Sequence, residues 1–338
     1  MDSSPTHLFY AVADRSYSAI LKKEIRALAT TLGFTKTAIA EIDILVAEIA
    51  SNLIKHAKNG ELLVKVIQGE KSAGLELLAI DHGPGMSEVA SMIKDGTSTV
   101  GTLGQGLGAI TRLSDFFQIY SVPSWGTILL SRKYVKKQPE NKKEKVEVRY
   151  VNVPKIGESV SGDGIFHYIT PDYLKVIALD GLGHGPDAHL ASQKAIDEFK
   201  NCPLNNAVDI IRYLHPLLKR TRGAVAAVGI FSFEKKQWSV SGVGNIASRL
   251  SNGIITKSYM SYNGIVGLTM PSTMQETSYD HFNNQLLIMM SDGIKTQLDI
   301  QKYPNILKYD LVMLAAAIYK DLGRRTDDMS VVISRVTL

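Results

Sequence analysis

Between positions 35 and 57 apolar residues recur three and four apart: Ile42, Leu45, Val46, Ile49 and Leu53. That spacing puts them on one stripe of an α-helix and predicts a helix with one buried face. A second helix is predicted over residues 16–32. Strands are predicted where apolar residues alternate or cluster between turn formers, at 9–12, 61–68, 75–81, 118–122 and 127–134. The last two close as a hairpin around Pro123 and Gly126. A glycine-rich stretch over 96–108 leads into a helix ending near Phe117. Together these predict a sheet covered on one face by helices, an α+β sandwich.

The pattern changes in the second half, which is richer in strands. They are predicted at 146–153, 165–170, 174–180, 224–233, 238–243, 285–291 and 330–336, with helices at 186–199, 205–219 and 305–322. Two sheets flanked by helices accommodate that count. Between the halves, residues 136–145 read KKQPENKKEK, without one apolar side chain. Such a segment has nothing to anchor in a core, so it predicts a linker between a domain at 1–135 and another at 146–338.

Hydrophobic residues make up 45% of the 338 and charged residues 21%, a composition that forms ordinary cores. The net charge of +5 raises a nucleic-acid reading. Eight basic residues (Arg132, Lys133, Lys136, Lys137, Lys142, Lys143, Lys145, Arg149) and three acids (Glu140, Glu144, Glu147) lie around the linker, and their difference is the whole excess. A solvated run of that kind, without an aromatic platform, argues against a nucleic-acid surface. The single cysteine, Cys202, forms no internal disulfide, and its company of thiols is too small for a metal-thiolate site. The first residues lack the basic-then-apolar order of a signal peptide, and no apolar run approaches the roughly 20 residues of a membrane helix. A cytoplasmic protein, without a nucleic-acid or membrane partner, is the expectation.

Candidate chemistry in the first half falls into three strings. In EIASN, Glu48 and Asn52 are four apart and share a helix face that borders the apolar stripe. A carboxylate there can take a proton from a hydroxyl, and an amide oxygen can bind a hard cation; a solvated helix edge is the plain alternative. DHGPGM, from Asp81 to Met86, follows a strand, and Gly83 and Gly85 let backbone pass close to a flat ligand, although a simple tight turn reads the same. GTLGQGLGAI opens a helix with glycines whose free N–H groups suit anion binding. It lacks the GK[ST] ending of a P-loop, and no strand precedes it as in a Rossmann fingerprint.

In this order the three strings resemble the N, G1 and G2 boxes of the GHKL ATPase superfamily, over about residues 5–135. Among its members the short length and DHGPGM look most like the RsbT-type anti-sigma-factor serine kinases. The resemblance implies a Bergerat ATP-binding sandwich in which Glu48 is the general base and Asn52 holds magnesium. It implies that Asp81 receives the adenine amino group between Gly83 and Gly85, that Gly104, Gly106 and Gly108 cradle phosphates, and that Thr127 lies on the adenine side. Lys55 and His56 read as helix-surface residues.

In the second half aspartates stand at strand ends: Asp163 in SGDGIF, Asp180 in DGLGHG, Asp292 in SDG, Asp327 and Asp328 in DDMS. Each alone reads as a turn residue beside glycine. Converging, they would repel one another unless hard divalent cations lay between them. The order resembles the RsbX/SpoIIE-type branch of the PPM phosphatases, over about residues 146–338. That implies a PPM-type α-β-β-α sandwich holding two manganese or magnesium ions on Asp163, Asp180, Asp292 and Asp327. Asp180 bridges both ions in that scheme, and the carbonyls of Gly181 and Gly164 add oxygens. Ser161 stands where the family has the first glycine of GGD; His184 reads as a proton donor or a structural residue, the latter favoured, and no arginine is evident for the phosphate.

The two resemblances together imply an ATP- and magnesium-dependent protein serine/threonine kinase fused to a phosphoserine/phosphothreonine phosphatase. The implied partner is a STAS-domain protein of a partner-switching pathway. The alternative is a phosphatase regulated by a GHKL module that binds ATP or a partner without transferring phosphate.

Overall fold

Thr35 starts the helix α2 (Lys36–His56): its backbone is extended, and its side chain accepts the Ala38 amide at 3.2 Å. The helix buries the expected stripe of Ile42, Leu45, Val46, Ile49 and Leu53, with Ala50 added. The structure, a computed structural model, describes residues 6–12, 14–68, 73–87, 89, 103–136, 144–282 and 284–338. The chain divides into two compact units, with the described residues from His7 to Lys136 in one and those from Glu144 to Leu338 in the other. Linker residues 137–143 and the start of the glycine string, Gly101 and Thr102, lie outside the described residues.

In the N-terminal unit five antiparallel strands run in the order β1 (Leu8–Ala11), β2 (Glu61–Gln68), β3 (Ala73–Ile80), β5 (Gly126–Tyr134), β4 (Phe116–Val122). α2, α1 (Arg15–Thr31) and α3 (Leu103–Leu113) pack over Leu62, Val64, Leu77, Ala79 and Leu129 on one face. The opposite face is apolar as well. Leu63, Leu78, Ile80, Ile128 and Leu130 are also buried, consistent with β3, which is buried from Gly74 to Ile80 and apolar there except for Glu76. α3 stops at Leu113, short of the predicted Phe117. Asp115 accepts the Tyr134 amide at 2.8 Å and its own N–H bonds the Arg132 carbonyl, so the chain is committed to strand pairing from Phe116.

Three of the eight basic residues assigned to the solvated run are structural. Arg132 Nε donates to the buried Glu76 at 2.7 Å, which also receives Lys65 at 2.9 Å. The three are register partners across β2, β3 and β5, and His7 Nε2 lies 3.8 Å from the same carboxylate. Lys133 pairs with Glu41 at 2.7 Å, and Arg149 with Glu144 and Asp310.

The C-terminal unit holds two five-stranded sheets. One runs β13 (Thr277–Asp280), β10 (Gln237–Val243), β9 (Ala224–Ser232), β8 (Tyr173–Gly181), β7 (Asp163–Ile169). The other runs β12 (Thr256–Tyr259), β11 (Ala247–Ser251), β14 (Leu286–Met290), β15 (Met329–Val336), β6 (Val146–Val153). Their inner faces meet through Val176, Phe231 and Trp238 against Leu250, Leu287 and Val332. A Cβ on Gly229 would fall 2.3 Å from Leu287 Cδ2, so the sheets close tightly only with glycine there. α4 (Pro186–Lys200) and α5 (Ala207–Leu218) cover the first sheet, and α6 (Leu311–Leu322) the second. The helix predicted over 305–322 is split. A 3-10 turn (Ile306–Lys308) precedes Asp310, which caps α6 by accepting the Val312 amide at 2.9 Å. The strands β11, β12 and β13 escape sequence prediction because they are short, and β12 and β13 are largely exposed edges without an apolar face.

Candidate active sites

Beneath α2 the N-terminal sheet leaves a cavity of about 250 Å³. Ile49, Asn52, Leu53 and His56 line it from α2, Ala79 and Asp81 from the end of β3, Thr127 and Leu129 from β5, and Leu107 from α3. Four expected residues, Asn52, Asp81, Gly85 and Thr127, therefore share its wall. Asp81 is held at both ends: its N–H donates to the Thr127 carbonyl at 2.9 Å, and its Oδ1 accepts the Gly83 amide at 2.6 Å. Gly85 has φ +69, and a Cβ there would fall 2.0 Å from the Val122 carbonyl oxygen, so backbone meets backbone along this rim. Ser121, which carries no sequence signal, ties the rim together. It accepts the Met86 amide at 2.8 Å, donates to the Gly126 carbonyl at 3.1 Å and lies 2.9 Å from the Thr127 hydroxyl.

Glu48 does not line the cavity wall but stands one helical turn along from Asn52, half-buried. A Cβ on Gly106 would lie 2.8 Å from Glu48 Oε2 and 3.4 Å from Asn52 Oδ1. Both α2 side chains thus face α3 at one glycine. Gly104 falls in the first turn of α3, and Gly108 lies against Arg112 instead. His56 is exposed as expected, yet it also borders the cavity; partial burial and then Lys55 lower its pKa.

The five aspartates of the C-terminal unit meet where strand ends from both sheets converge. Asp163 opens β7 and is the register partner of Asp180 near the end of β8. Asp292 follows β14, and Asp327 and Asp328 lead into β15. Asp163 is 1% exposed; Ser291 and Ser330 hydrogen-bond its carboxylate, and its Oδ2 has no hydrogen-bond partner among the described residues. Burial first, then Asp328 and Asp292, pushes its pKa up to about 8. Burial first, then Asp163, Asp292, Asp327 and Asp328, pushes Asp180 up to about 9. Asp292 is raised by burial and then by Asp327. Mutual influence of this kind requires that the carboxylates share one neighbourhood.

The donor set suits a hard divalent cation: all oxygen, strongly anionic, and with a buried carboxylate oxygen that no group among the described residues hydrogen-bonds. Among the described residues no three Asp, Glu, His or Cys side chains stand in a metal-holding arrangement. The last pair divides its work. Asp328 is buried and accepts the amides of Lys155 and Gly162, both at 2.8 Å, whereas Asp327 is half-exposed.

Several residues around this cluster carry no sequence signal. Asn245 donates to Asp292 Oδ2 at 2.9 Å from a turn that reads as ordinary loop. Ser161, the departure from the family glycine, accepts the Asp163 amide at 3.1 Å and donates to Asn152, whose amide bonds the Asp163 carbonyl at 3.0 Å. The glycines of the aspartate strings admit α4: a Cβ on Gly181 would fall 2.2 Å from the Ala188 carbonyl oxygen, and one on Gly164 would fall 3.0 Å from Ser192 Cβ. His184 pairs with Glu158 at 2.6 Å on the rim. The sequence reading finds no arginine here, but the structure places Arg222 against the DGLGHG turn.

Fold and cavity define the class of the N-terminal unit: residues 12–132 match the histidine kinase-like ATPase domain family. The chain is 33% identical over 111 residues to the serine/threonine-protein kinase RsbT of Bacillus subtilis (strain 168), covering 84% of that protein and 33% of this chain. Through this unit the chain belongs to the RsbT family. Over a further 103 residues, 30% of the chain, it is 29% identical to the phosphoserine phosphatase RsbX of the same organism, and spans about half (52%) of that protein's length. The solved structure of RsbX in complex with magnesium is similar at a TM-score of 0.51 and 21% identity, covering 59% of this chain and 99% of that one. This likeness shows a shared fold, the PPM sandwich. A chain from the bacterial stressosome, described as a modular system adapted to control secondary messenger signaling, superposes at a TM-score of 0.53 and 27% identity. It covers 57% of this chain and all of that one. No helix among the described residues is long and apolar enough to cross a membrane.

Proposed function

We propose that the chain sets and removes one kind of mark: its N-terminal unit phosphorylates serine or threonine, and its C-terminal unit hydrolyses phosphoserine or phosphothreonine. The substrate class is a STAS-domain protein of a partner-switching system, a reading supported by the likeness to RsbT and to the stressosome chain. The observation that carries the kinase half is the convergence of Glu48 and Asn52 on Gly106 beside a cavity walled by Asp81. A module that only binds nucleotide has no need of a carboxylate there.

Asp81 and the apolar cavity would hold the adenine of ATP, and the N–H groups in the first turn of α3, which favour anions, would hold its phosphates. Asn52 would hold the magnesium of the nucleotide. Glu48 takes the proton of the substrate hydroxyl as its oxygen bonds the γ-phosphorus and ADP leaves with the old bond's electrons. In the C-terminal unit Asp163, Asp180, Asp292 and Asp327 would hold the cations, with the Gly181 carbonyl adding an oxygen. Asp328 keeps the Gly162 loop in place through its two amide bonds. When bound, two such ions would supply Lewis acidity and a water acidic enough to attack phosphorus. Asn245 and Ser161 keep Asp292 and Asp163 oriented toward that site. Residues 136–145 act as a tether between the two domains.

Incubation of the full chain with candidate STAS proteins and ATP, with and without manganese, tests the reading. The wild-type chain phosphorylates the substrate and, with manganese, releases phosphate from it. Glu48→Ala retains ATP but transfers no phosphate, and transfer at a near wild-type rate would remove Glu48 from its assigned role.

A further inference from the structure

We propose that Arg222 binds the phosphate of the phosphoserine substrate in the C-terminal site. This deepens the phosphatase reading and rests on it.

Backbone pairing carries Arg222 to the carboxylate cluster. Gly181 at the end of β8 is the register partner of Ala224 at the start of β9, and the Leu182 N–H donates to the Gly223 carbonyl at 3.1 Å. The residue before Gly223 therefore lies alongside the turn that follows Asp180. Gly183 occupies that turn with φ +85, and a Cβ on it would lie 3.3 Å from Arg222 Nη1. On its other side the Gly183 carbonyl oxygen approaches within 3.4 Å of the Cβ position of Gly162, and Asp328 Oδ2 within 3.0 Å of that same point. One thin layer of glycine backbone thus separates the guanidinium from the edge of the cluster. Side chains at 162 or 183 would thicken it.

The guanidinium is held but not consumed. Arg222 Nη2 donates to Asp187 Oδ2 at 2.7 Å, with the two side chains 51% and 66% exposed. An ion pair so open to water is weak and readily exchanged. A phosphate dianion offers the planar fork two oxygens at once, which a single carboxylate contact does not match. Two other basic groups near this rim have other partners. His184 is paired with Glu158, and Arg324 offsets the charge of Asp292 from beside Gly293. Of the two arginines, Arg222 is the one tied to a carboxylate outside the five-aspartate cluster, through an exposed pair. In the reaction it forms and breaks no covalent bond. Water bonds the phosphorus, the serine oxygen leaves and takes a proton, and Arg222 holds two non-bridging oxygens throughout.

The test uses the full chain with manganese, p-nitrophenyl phosphate as substrate, and inorganic phosphate as inhibitor and as calorimetric ligand. Arg222→Ala raises KM and weakens phosphate binding about tenfold or more, with a smaller change in kcat; Arg222→Lys recovers part of the loss. Asp187→Asn frees the guanidinium and shifts both quantities the other way, which a merely structural ion pair would not do. An unchanged phosphate affinity in Arg222→Ala overturns the proposal, as does a larger loss in Arg324→Ala than in Arg222→Ala. A wild-type chain that fails to hydrolyse the substrate counts against the phosphatase reading, and calorimetry of phosphate on the manganese-loaded variants then decides the role of Arg222 separately.

Discussion

Each half of the molecule buries carboxylates, in opposite company. Glu76 sits among Lys65, Arg132 and His7, and although burial works the other way, these partners hold its pKa well below the ordinary glutamate value. Asp163 and Asp180 sit among other carboxylates, and burial together with those neighbours raises theirs. A buried acid surrounded by cations is part of the architecture: its charge is answered by the protein itself. Buried acids surrounded by acids are an unanswered charge, and a chain keeps such an arrangement where something from outside is to answer it. The contrast separates framework from site without any appeal to sequence motifs.

The largest effect expected from breaking the contrast is on the unanswered side. Asp180→Asn lowers manganese-dependent hydrolysis of a phosphoserine protein by about a thousandfold, the scale of losing several kcal/mol of charge stabilisation, while ATP-dependent phosphorylation persists. Undiminished hydrolysis by this variant would remove the two-metal reading. On the answered side Glu76→Gln strands two buried cations and destabilises the N-terminal unit by about 3–5 kcal/mol, read by chemical denaturation. Replacing Lys65, Glu76 and Arg132 together by apolar residues of similar size restores most of that stability, because no charge is then left alone.

Gly106→Ala pushes a methyl against Glu48 and Asn52. Overpacking of that order costs about 1–3 kcal/mol, so phosphate transfer falls roughly tenfold to a hundredfold, with a smaller loss in ATP affinity. A Gly106→Ala chain with full kinase activity would show that these groups do not act at α3.

The pH dependence differs in sign between the two sites. Glu76, with a lowered value, stabilises the fold above the ordinary glutamate pKa, and that contribution is lost as pH falls through its folded value. Asp163 and Asp180, with raised values, contribute stability present below the ordinary aspartate range and lost as pH rises toward about 8 and 9. Scanning calorimetry of chelator-treated protein between pH 5 and 9 should show the C-terminal transition falling and the N-terminal one nearly constant. Manganese flattens the first, and Asp180→Asn raises the chelated Tm by about 2–4 °C or more. A C-terminal transition that climbs with pH would contradict the sign. The smallest effect is expected at the tether: cleavage within 136–145 yields two soluble fragments that retain both activities, and a large change in net substrate phosphorylation would mean the units communicate.

Much of the fold was legible because it is local. The stripe of α2 and the strands β2 and β6 are set by residues within a few positions of each other. Where distant partners decide, local pattern and structure part. Arg132 looked like part of a solvated run and is a buried partner of Glu76, 56 positions away. The single helix expected over 305–322 is interrupted at Asp310, whose carboxylate caps the later half and also pairs with Arg149. The candidate aspartates were legible as strand-end residues beside glycine, but nothing local distinguishes Asp327 from Asp328.

By itself, then, the sequence determined most of the helices and strands and which carboxylates and glycines stand at element ends, since propensity, periodicity and turn chemistry act over short stretches. Only the tertiary structure decided what those residues do together. It set Glu48 and Asn52 against Gly106, left Asp163 Oδ2 without a partner, turned Asp328 to two amides, gave Asp292 to Asn245 and brought Arg222 to Gly183. These contacts join residues tens to well over a hundred positions apart, and their energies depend on burial and on neighbouring charge, which exist only once the sheets have closed.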